Sequence, residues 1–392
     1  MTADTTTNAL AVIPTHAEAA EAASKFSDGL RAMFVERDRE VASLLLALVA
    51  EEHVLLLGPP GTAKSAITLA FAEGIGLRTF VRLMGKTTVP EELFGPYSLL
   101  ALEQDRFERQ IGGYLPTAET AFLDEIFKAN SAVLNGLLTA LNERAYDQGT
   151  ARISIPLQLC VGASNELPAD DGLAALYDRF MLRHWVAYVR DDNASSAMLQ
   201  AKPASPPRLA RGAIEVLRAA AAIVDVAPVI PAIVAIRADL AAQGIAVSDR
   251  RWRKSLGIVR AATAIAGRTV ARGRDLACLQ DILWDRPEQA PAIAATVLRH
   301  RNPGLTLAQK HRAAGDARVT ELVRGIAGGL ASMDMGAIAR ASTVVAFLQE
   351  CLREVRALDM TDADIQAEEA AIRAQGTRIQ DAIRAAHARI KL

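Results

Sequence analysis

His53-Val-Leu-Leu-Leu-Gly58-Pro-Pro-Gly-Thr-Ala-Lys-Ser65 is the stretch whose reading decides the fold. Val54 to Leu57 is an uninterrupted apolar run, which predicts a short buried strand bounded by Gly58. Beyond Ser65 the apolar residues Ala66, Ile67, Ala70 and Phe71 recur at helical spacing, and Gly74 and Gly76 are stop signals. Strand, glycine loop and helix in that order are what a phosphate-binding loop requires. Glycines let backbone N–H groups converge on an anion, and a helix N-terminus adds partial positive charge. On this reading Gly58, Pro59, Pro60, Gly61, Thr62 and Ala63 form the cradle. Lys64 reaches the β- and γ-phosphates, Ser65 holds Mg²⁺, and Ala66 is the first apolar position of the helix. Ala63 stands where a second glycine is usual, and its small side chain still permits the turn. The bland alternative is an ordinary strand-to-helix turn, which leaves the Gly-Pro-Pro-Gly and Lys-Ser pairs unexplained.

The chain has 392 residues, 51% of them hydrophobic and 23% charged, so it can bury a sizeable core in two or three domains. A net charge of −1 gives no support to nucleic-acid or anionic-membrane binding. Cys160, Cys278 and Cys351 lie far apart without metal-ligand spacing and read as reduced thiols of a cytoplasmic protein. No signal peptide and no apolar run long enough to span a membrane is expected. Few aromatics and abundant alanine point to helix-rich architecture outside the nucleotide site.

Outward from the loop, Ala17 to Glu51 has a helical pattern and Thr79 to Leu83 reads as a second strand. Turn residues between Arg106 and Pro116 suggest a hairpin. Ala121 to Leu123 is an apolar strand ending in Asp124 and Glu125, whose alternation sends the two carboxylates to different faces. That suits Asp124 to the Mg²⁺ shell and Glu125 to polarising the attacking water; in isolation the pair reads as a solvated turn. A helix from Ala129 to Glu143 follows, with a core stripe of Val133, Leu134, Leu137, Leu138 and Leu141. The strand Leu157 to Ala163 leads to Asn165, placed to orient water, although a lone loop asparagine is more often a turn-former. Arg179 precedes a strand over His184 to Val189 and reads either as a surface ion-pair residue or as an arginine acting in trans.

Prolines 203, 206 and 207 mark a boundary, beyond which helices cover Leu209 to Ile223 and Val229 to Gln243. Ser248 is the expected N-cap of a third helix, with Arg250 and Arg251 in its first turn. Cations there oppose the helix dipole, so the placement asks for a nearby anion, unless both are simply solvated. Asp275 to Trp284 reads as a short helix, Ala337 to Leu358 as a longer one, and Thr361 opens the last.

Taken in order, these pieces resemble an AAA+ ATPase. Gly58-Pro-Pro-Gly-Thr-Ala-Lys-Ser65 is similar to Walker A in the form used by the MoxR family. Glu91-Glu-Leu-Phe-Gly-Pro96, Gly113-Tyr-Leu-Pro116, Phe122-Leu-Asp-Glu-Ile-Phe-Lys-Ala129 and Leu138-Thr-Ala-Leu-Asn-Glu-Arg144 continue the likeness. So do Ala163-Ser-Asn-Glu-Leu-Pro168, Ala175-Leu-Tyr-Asp-Arg-Phe180 and Ser248-Asp-Arg-Arg-Trp252, in an order similar to the RavA-like branch. The resemblance spans roughly residues 20 to 290. It implies an α/β core with a parallel five-stranded sheet, a helical lid and a C-terminal helical region. By position it assigns Lys64 and Ser65 to Walker A, Asp124 and Glu125 to Walker B, and Asn165 to sensor 1. Arg179 matches the arginine finger and Arg250 the sensor 2 arginine, with Arg251 as the alternative. ATP and Mg²⁺ are the implied cofactors, a homo-hexameric ring the implied assembly, and a von Willebrand factor A (vWA) domain protein the implied partner of a chaperone-like remodeller. No β-rich module of the kind found in longer RavA-like chains interrupts the final helices.

The expected organisation is an arm over 1–17, an AAA+ core over 18–202, a lid over 203–290 and a helical domain over 291–392. Two other functions share parts of this signature. A monomeric P-loop small-molecule kinase would use Lys64 and Asp124 without Arg179, and a nucleotide-gated scaffold would turn over little ATP. An intact Glu125 argues against the scaffold. Nothing in the sequence names the client.

Overall fold

The computed structural model describes residues 13–148, 151–168, 171–200, 204–328, 335–358 and 363–390. By internal contacts the chain divides into two compact units, Met1–Ala294 and Ala295–Leu392.

The first unit is built on strands β1 (Val54–Leu57), β2 (Thr79–Leu83), β3 (Thr120–Asp124), β4 (Ala145–Gln148), β5 (Ala151–Ser154), β6 (Leu159–Ser164) and β7 (Leu182–Trp185). Five of them make one parallel sheet in the order β2-β3-β6-β1-β7. All four residues of β1 are buried, as are all six of β6, the pattern of strands covered on both faces. Register fixes the ends: Leu57 lies opposite Ser164 and Trp185, and Leu83 opposite Asp124. The residues that follow β1, β3 and β6 therefore emerge together at the carboxyl edge, where open α/β sheets bind ligands.

Helices α1 (His16–Met33) and α2 (Asp38–Ala50) precede the sheet. The single helical pattern read over Ala17 to Glu51 is broken at Glu36, whose φ is +56°. Thr15 and Glu18 close α1 with reciprocal capping bonds. Next come α3 (Lys64–Ile75), α4 (Pro90–Phe94), α5 (Leu99–Leu102), α6 (Ser131–Glu143), α7 (Asp171–Tyr177) and α8 (Asp192–Gln200). α3 packs on β3 and β6 beneath the loop.

The Arg106–Pro116 segment differs from the expected hairpin. Tyr97 and Arg109 form one antiparallel bridge, and Leu115–Thr117 closes as a 3₁₀ turn. The true hairpin is β4–β5, which the sequence reading missed. The last sheet strand begins at Leu182 rather than His184, because pairing with β1 starts there and ends where the chain reaches Gly58.

Over the segment where a lid was expected come α9 (Arg211–Ala222), α10 (Ile230–Ala242), α11 (Asp249–Ile265) and a 3₁₀ stretch, Gly273–Asp281, where a short helix from Asp275 was expected. The division between units falls inside α12 (Ala290–Arg301).

The second unit is helical. α13 (Pro303–Gly328), α14 (Met335–Arg356) and α15 (Ala363–Ile390) pack pairwise around Ala308, Val319, Leu348, Val355, Ile372 and Ile379. A Cβ at Gly315 would meet the Gln375 amide and a Leu348 methyl, so these side-chain ends are seated over the bare backbone of α13. Residues 1–12, in the expected arm, and Thr361, the expected start of the last helix, lie outside the described residues.

Candidate functional site

Gly58 leaves β1 with φ +141°, and a Cβ there would run into the Val186 carbonyl. Glycine is thus required at the first position of the loop. Ala63 ends the loop in the left-handed region at φ +67°, and α3 starts at Lys64 with no side-chain cap. A helix start left uncapped beside a glycine loop leaves N–H groups for an anion. Thr62 and Lys64 are buried, while Pro60, Gly61, Ala63, Ser65 and Ala66 are exposed at the lip. The Thr62 hydroxyl donates to the Pro59 carbonyl at 3.0 Å and braces the turn.

The Lys64 ammonium folds back on the loop, donating to the Gly58 and Pro59 carbonyls at 2.8 Å each and to Asn165 Oδ1 at 3.5 Å. Burial lowers its proton affinity, opposed by the charges of Asp124 and Glu125.

Glu125 does not follow strand alternation. Its φ is +52°, so the chain leaves β3 in a left-handed turn, with the Glu125 N–H donating to Asp124 Oδ1 at 3.0 Å. This corrects the opposite-faces expectation. The turn swings Glu125 toward β6, where its Oε1 accepts from Asn165 Nδ2 at 2.7 Å. Glu125 Oε2 is buried without a hydrogen bond and lies 3.3 Å from the Lys128 ammonium. Lys64, Asn165 and Glu125 thus form one chain of contacts across the ends of β1, β3 and β6.

The donor set at the lip suits Mg²⁺. Ser65 offers an exposed hydroxyl and Asp124 a half-buried carboxylate. Among the described residues no group of three or more His, Cys, Asp or Glu could cage a metal alone. A hard cation here would take most of its shell from phosphate and water, the usual arrangement for Mg²⁺.

Beside the lip lies a cavity of about 260 Å³ that the sequence reading did not anticipate. Gly61 to Ala63 form one wall, and Phe34, Val35, Tyr188, Val189 and Met198 supply an apolar lining. Arg37 ties it together, donating to the Thr62, Glu36 and Ala187 carbonyls at 3.2, 2.7 and 2.7 Å. A flat apolar group attached to a phosphate in the loop would fit there.

Arg179 and Arg250 belong to a second cluster. Asp178 accepts from Arg250 at 2.9 Å and from Arg251 at 2.9 Å. Arg250 also donates to Asn142 Oδ1 at 3.1 Å, while Arg251 is buried and donates to the Ile282 carbonyl at 2.8 Å. The anion that two arginines in the first turn of α11 demanded is therefore Asp178, and Ser248 caps that turn by accepting the Arg251 N–H. Arg179 lies 3.9 Å from Asp178. Arg250 is thus grouped with Arg179 and not with Lys64, Asp124, Glu125 and Asn165.

Residues 22–208 match the family profile described as the MoxR domain in the MoxR-vWA-beta-propeller ternary systems, and 228–297 match an AAA lid domain. An uncharacterized protein of Methanocaldococcus jannaschii is 36% identical over 76% of this chain and 81% of its own. Chaperone MoxR1 of Mycobacterium tuberculosis is 27% identical over 69% of this chain and 73% of its own. A crystal structure from Cytophaga hutchinsonii, described as a candidate ATPase, shares the fold with a TM-score of 0.53 at 18% identity, covering 73% of this chain and 88% of that one. With a phosphate loop, an acidic strand end and a polar strand end converging at one edge of the sheet, and a lid domain after it, this chain belongs to the MoxR family of AAA+ ATPases.

Proposed function

We propose that the protein hydrolyses Mg²⁺·ATP at sites completed by a second copy in a ring, and uses the cycle to remodel or activate a client protein. The observation that carries this reading is the Lys64–Asn165–Glu125 chain of contacts at the carboxyl edge of the sheet. Triphosphate entering the loop offers Lys64 a better partner than the two carbonyls it holds. Its departure frees Asn165 Oδ1 while leaving Glu125 Oε1 bonded to the Asn165 amide. Glu125 Oε2, buried and without a hydrogen bond, is then the acceptor for a proton of the attacking water. Asn165 positions that water and Glu125 together. Mg²⁺, held by Ser65 and Asp124, would offset charge on the β- and γ-oxygens.

Arg179 and Arg250 are proposed to act on a neighbour's nucleotide, since both sit in the Asp178 cluster. The matched family description, MoxR-vWA-beta-propeller ternary systems, supports a vWA-domain partner, and the likeness to Chaperone MoxR1 supports a chaperone-like role. The finer placement in the RavA-like branch rests on the quoted motifs. No helix among the described residues is long and apolar enough to cross a membrane.

The test is hydrolysis and nucleotide binding in Glu125→Gln and Lys64→Ala. The first should keep nucleotide and lose turnover by about a hundredfold or more; the second should lose nucleotide. Chelating Mg²⁺ should silence the parent. A Glu125→Gln protein hydrolysing ATP at the parent rate would end this reading.

A further inference from the structure

We propose that Asp178 is a positioning residue that latches the turn bearing Arg179 to the lid, so that the lid sets where this arginine is offered. The proposal rests on Arg179 acting in trans, and the experiment below separates the two.

The Arg179 guanidinium has little to hold it. Among the described residues its nearest opposite charge is Asp178 at 3.9 Å, and its Nε is buried with no hydrogen-bond partner. Its direction is therefore set by the backbone of Tyr177 to Phe180, and the question becomes what holds that turn. The bonds go to the lid. Asp178 takes one arginine of α11 on each carboxylate oxygen. The Tyr177 hydroxyl donates to the Asp285 carbonyl at 2.6 Å.

Arg183, fully buried at the start of β7, completes the latch. It donates to the Tyr177 and Phe180 carbonyls at 3.1 Å each, and to the Trp284 carbonyl and Asp285 carboxylate at 2.7 and 2.8 Å. Its guanidinium also lies 3.6 Å from the Tyr177 ring centroid. One side chain thereby grips both sides of the turn and the lid segment behind it.

Charge makes Asp178 the key member. Arg179, Arg183, Arg250 and Arg251 surround two carboxylates, Asp178 and Asp285, so the cluster carries a net charge of +2, with Arg183 and Arg251 buried and Arg179 and Arg250 partly exposed. Burial alone would raise the Asp178 carboxyl, but the hydrogen bonds and charges of Arg251 and Arg250 outweigh it and hold it below the usual range. Without that carboxylate, Arg250 and Arg251 lose their common anchor and repel Arg179. The turn is then free of α11, while the phosphate loop of the same chain keeps every contact described above.

The experiment pairs ATP hydrolysis by single variants with hydrolysis by mixed chains. Asp178→Asn, which keeps the size and an acceptor, should lose about tenfold to a hundredfold in turnover, with nucleotide affinity near the parent's. Tyr177→Phe removes one bond of the same latch and keeps the ring under Arg183, so a smaller loss is expected. Each variant is then mixed with Glu125→Gln chains, which carry an intact Arg179 turn but cannot hydrolyse. Recovery on mixing is expected, as for Arg179→Ala mixed with the same chains. Parent-level turnover in both single variants would overturn the latch. So would a loss that mixing does not restore while Arg179→Ala is restored, because the defect would then lie in the variant's own site. If Arg179→Ala is itself not restored, the trans reading falls and the latch falls with it.

Discussion

At the scale of single residues, the phosphate loop holds one required glycine and one tolerated departure. Ala63 sits at φ +67°, a region costing a non-glycine residue about 1–2 kcal/mol. Part of that is returned because glycine is more flexible when unfolded. Ala63→Gly should therefore raise stability by roughly 0.5 kcal/mol and leave nucleotide affinity near the parent's, read from urea midpoints and nucleotide titration. Gly58→Ala should behave oppositely, since its Cβ meets the Val186 carbonyl and its φ is +141°. Loss of nucleotide binding is the expected result, and a Gly58→Ala protein that binds normally would refute the requirement. Sequence reading located both positions, and it also asked for an anion at Arg250 and Arg251. It could not find Asp178 as that anion, because the two lie in segments joined only by folding. Nor could it see that Glu125 turns left-handed, which strand alternation does not encode.

At the scale of elements, the long apolar runs were legible and the short amphipathic ones were not. β1, β2 and β3 were read from continuous or bounded apolar segments. β4 and β5, Ala-Tyr-Asp-Gln and Ala-Arg-Ile-Ser, carry too little alternation to be read as strands. The cavity beside the lip draws its walls from three distant segments, of which only the phosphate loop carries a motif. His53 shows how a residue outside any motif can tie elements together. Its Nδ1 accepts the Cys160 N–H of β6 at 3.2 Å, so Nε2 carries the proton and donates to the Leu141 carbonyl of α6 at 3.0 Å. Burial, aided by the Arg144 charge, pushes its pKa down to about 3 from 6.5. The unfolded chain therefore takes up a proton near pH 6.5 that the folded chain refuses. This contribution to stability is intact above that pH and is lost progressively as pH falls toward 3. Between pH 7 and pH 5 the loss should be about 2 kcal/mol. Urea denaturation of the parent and of His53→Gln at the two pH values tests it. An equal pH response in both would show that His53 is not the group responsible.

At the scale of the whole molecule, the two clusters of charged residues lie on different elements, and the proposed function assigns them to different ends of the same reaction. The Lys64, Asp124, Glu125 and Asn165 cluster sits at the carboxyl ends of the strands, whereas Arg179 and Arg250 lie about Asp178, between α7 and β7 and beside α11. A chain working alone would have its acceptor and phosphate cradle in one place and its exposed arginine charge in another. Association removes that mismatch if the arginine cluster of one copy meets the lip of the next, a heterologous contact that repeats until a ring closes. ATP hydrolysis per chain should then rise with protein concentration and level off once assembly is complete. Arg179→Ala should keep nucleotide binding but lose about a thousandfold in turnover at the plateau, the lower end of what such arginines contribute in related phosphoryl transfer. Hydrolysis measured across a dilution series for both proteins, with native mass determined at each point, provides the check. A flat specific activity from a monomeric parent, indifferent to Arg179, would mean that each chain completes its own site and that the arginine cluster serves some other anion.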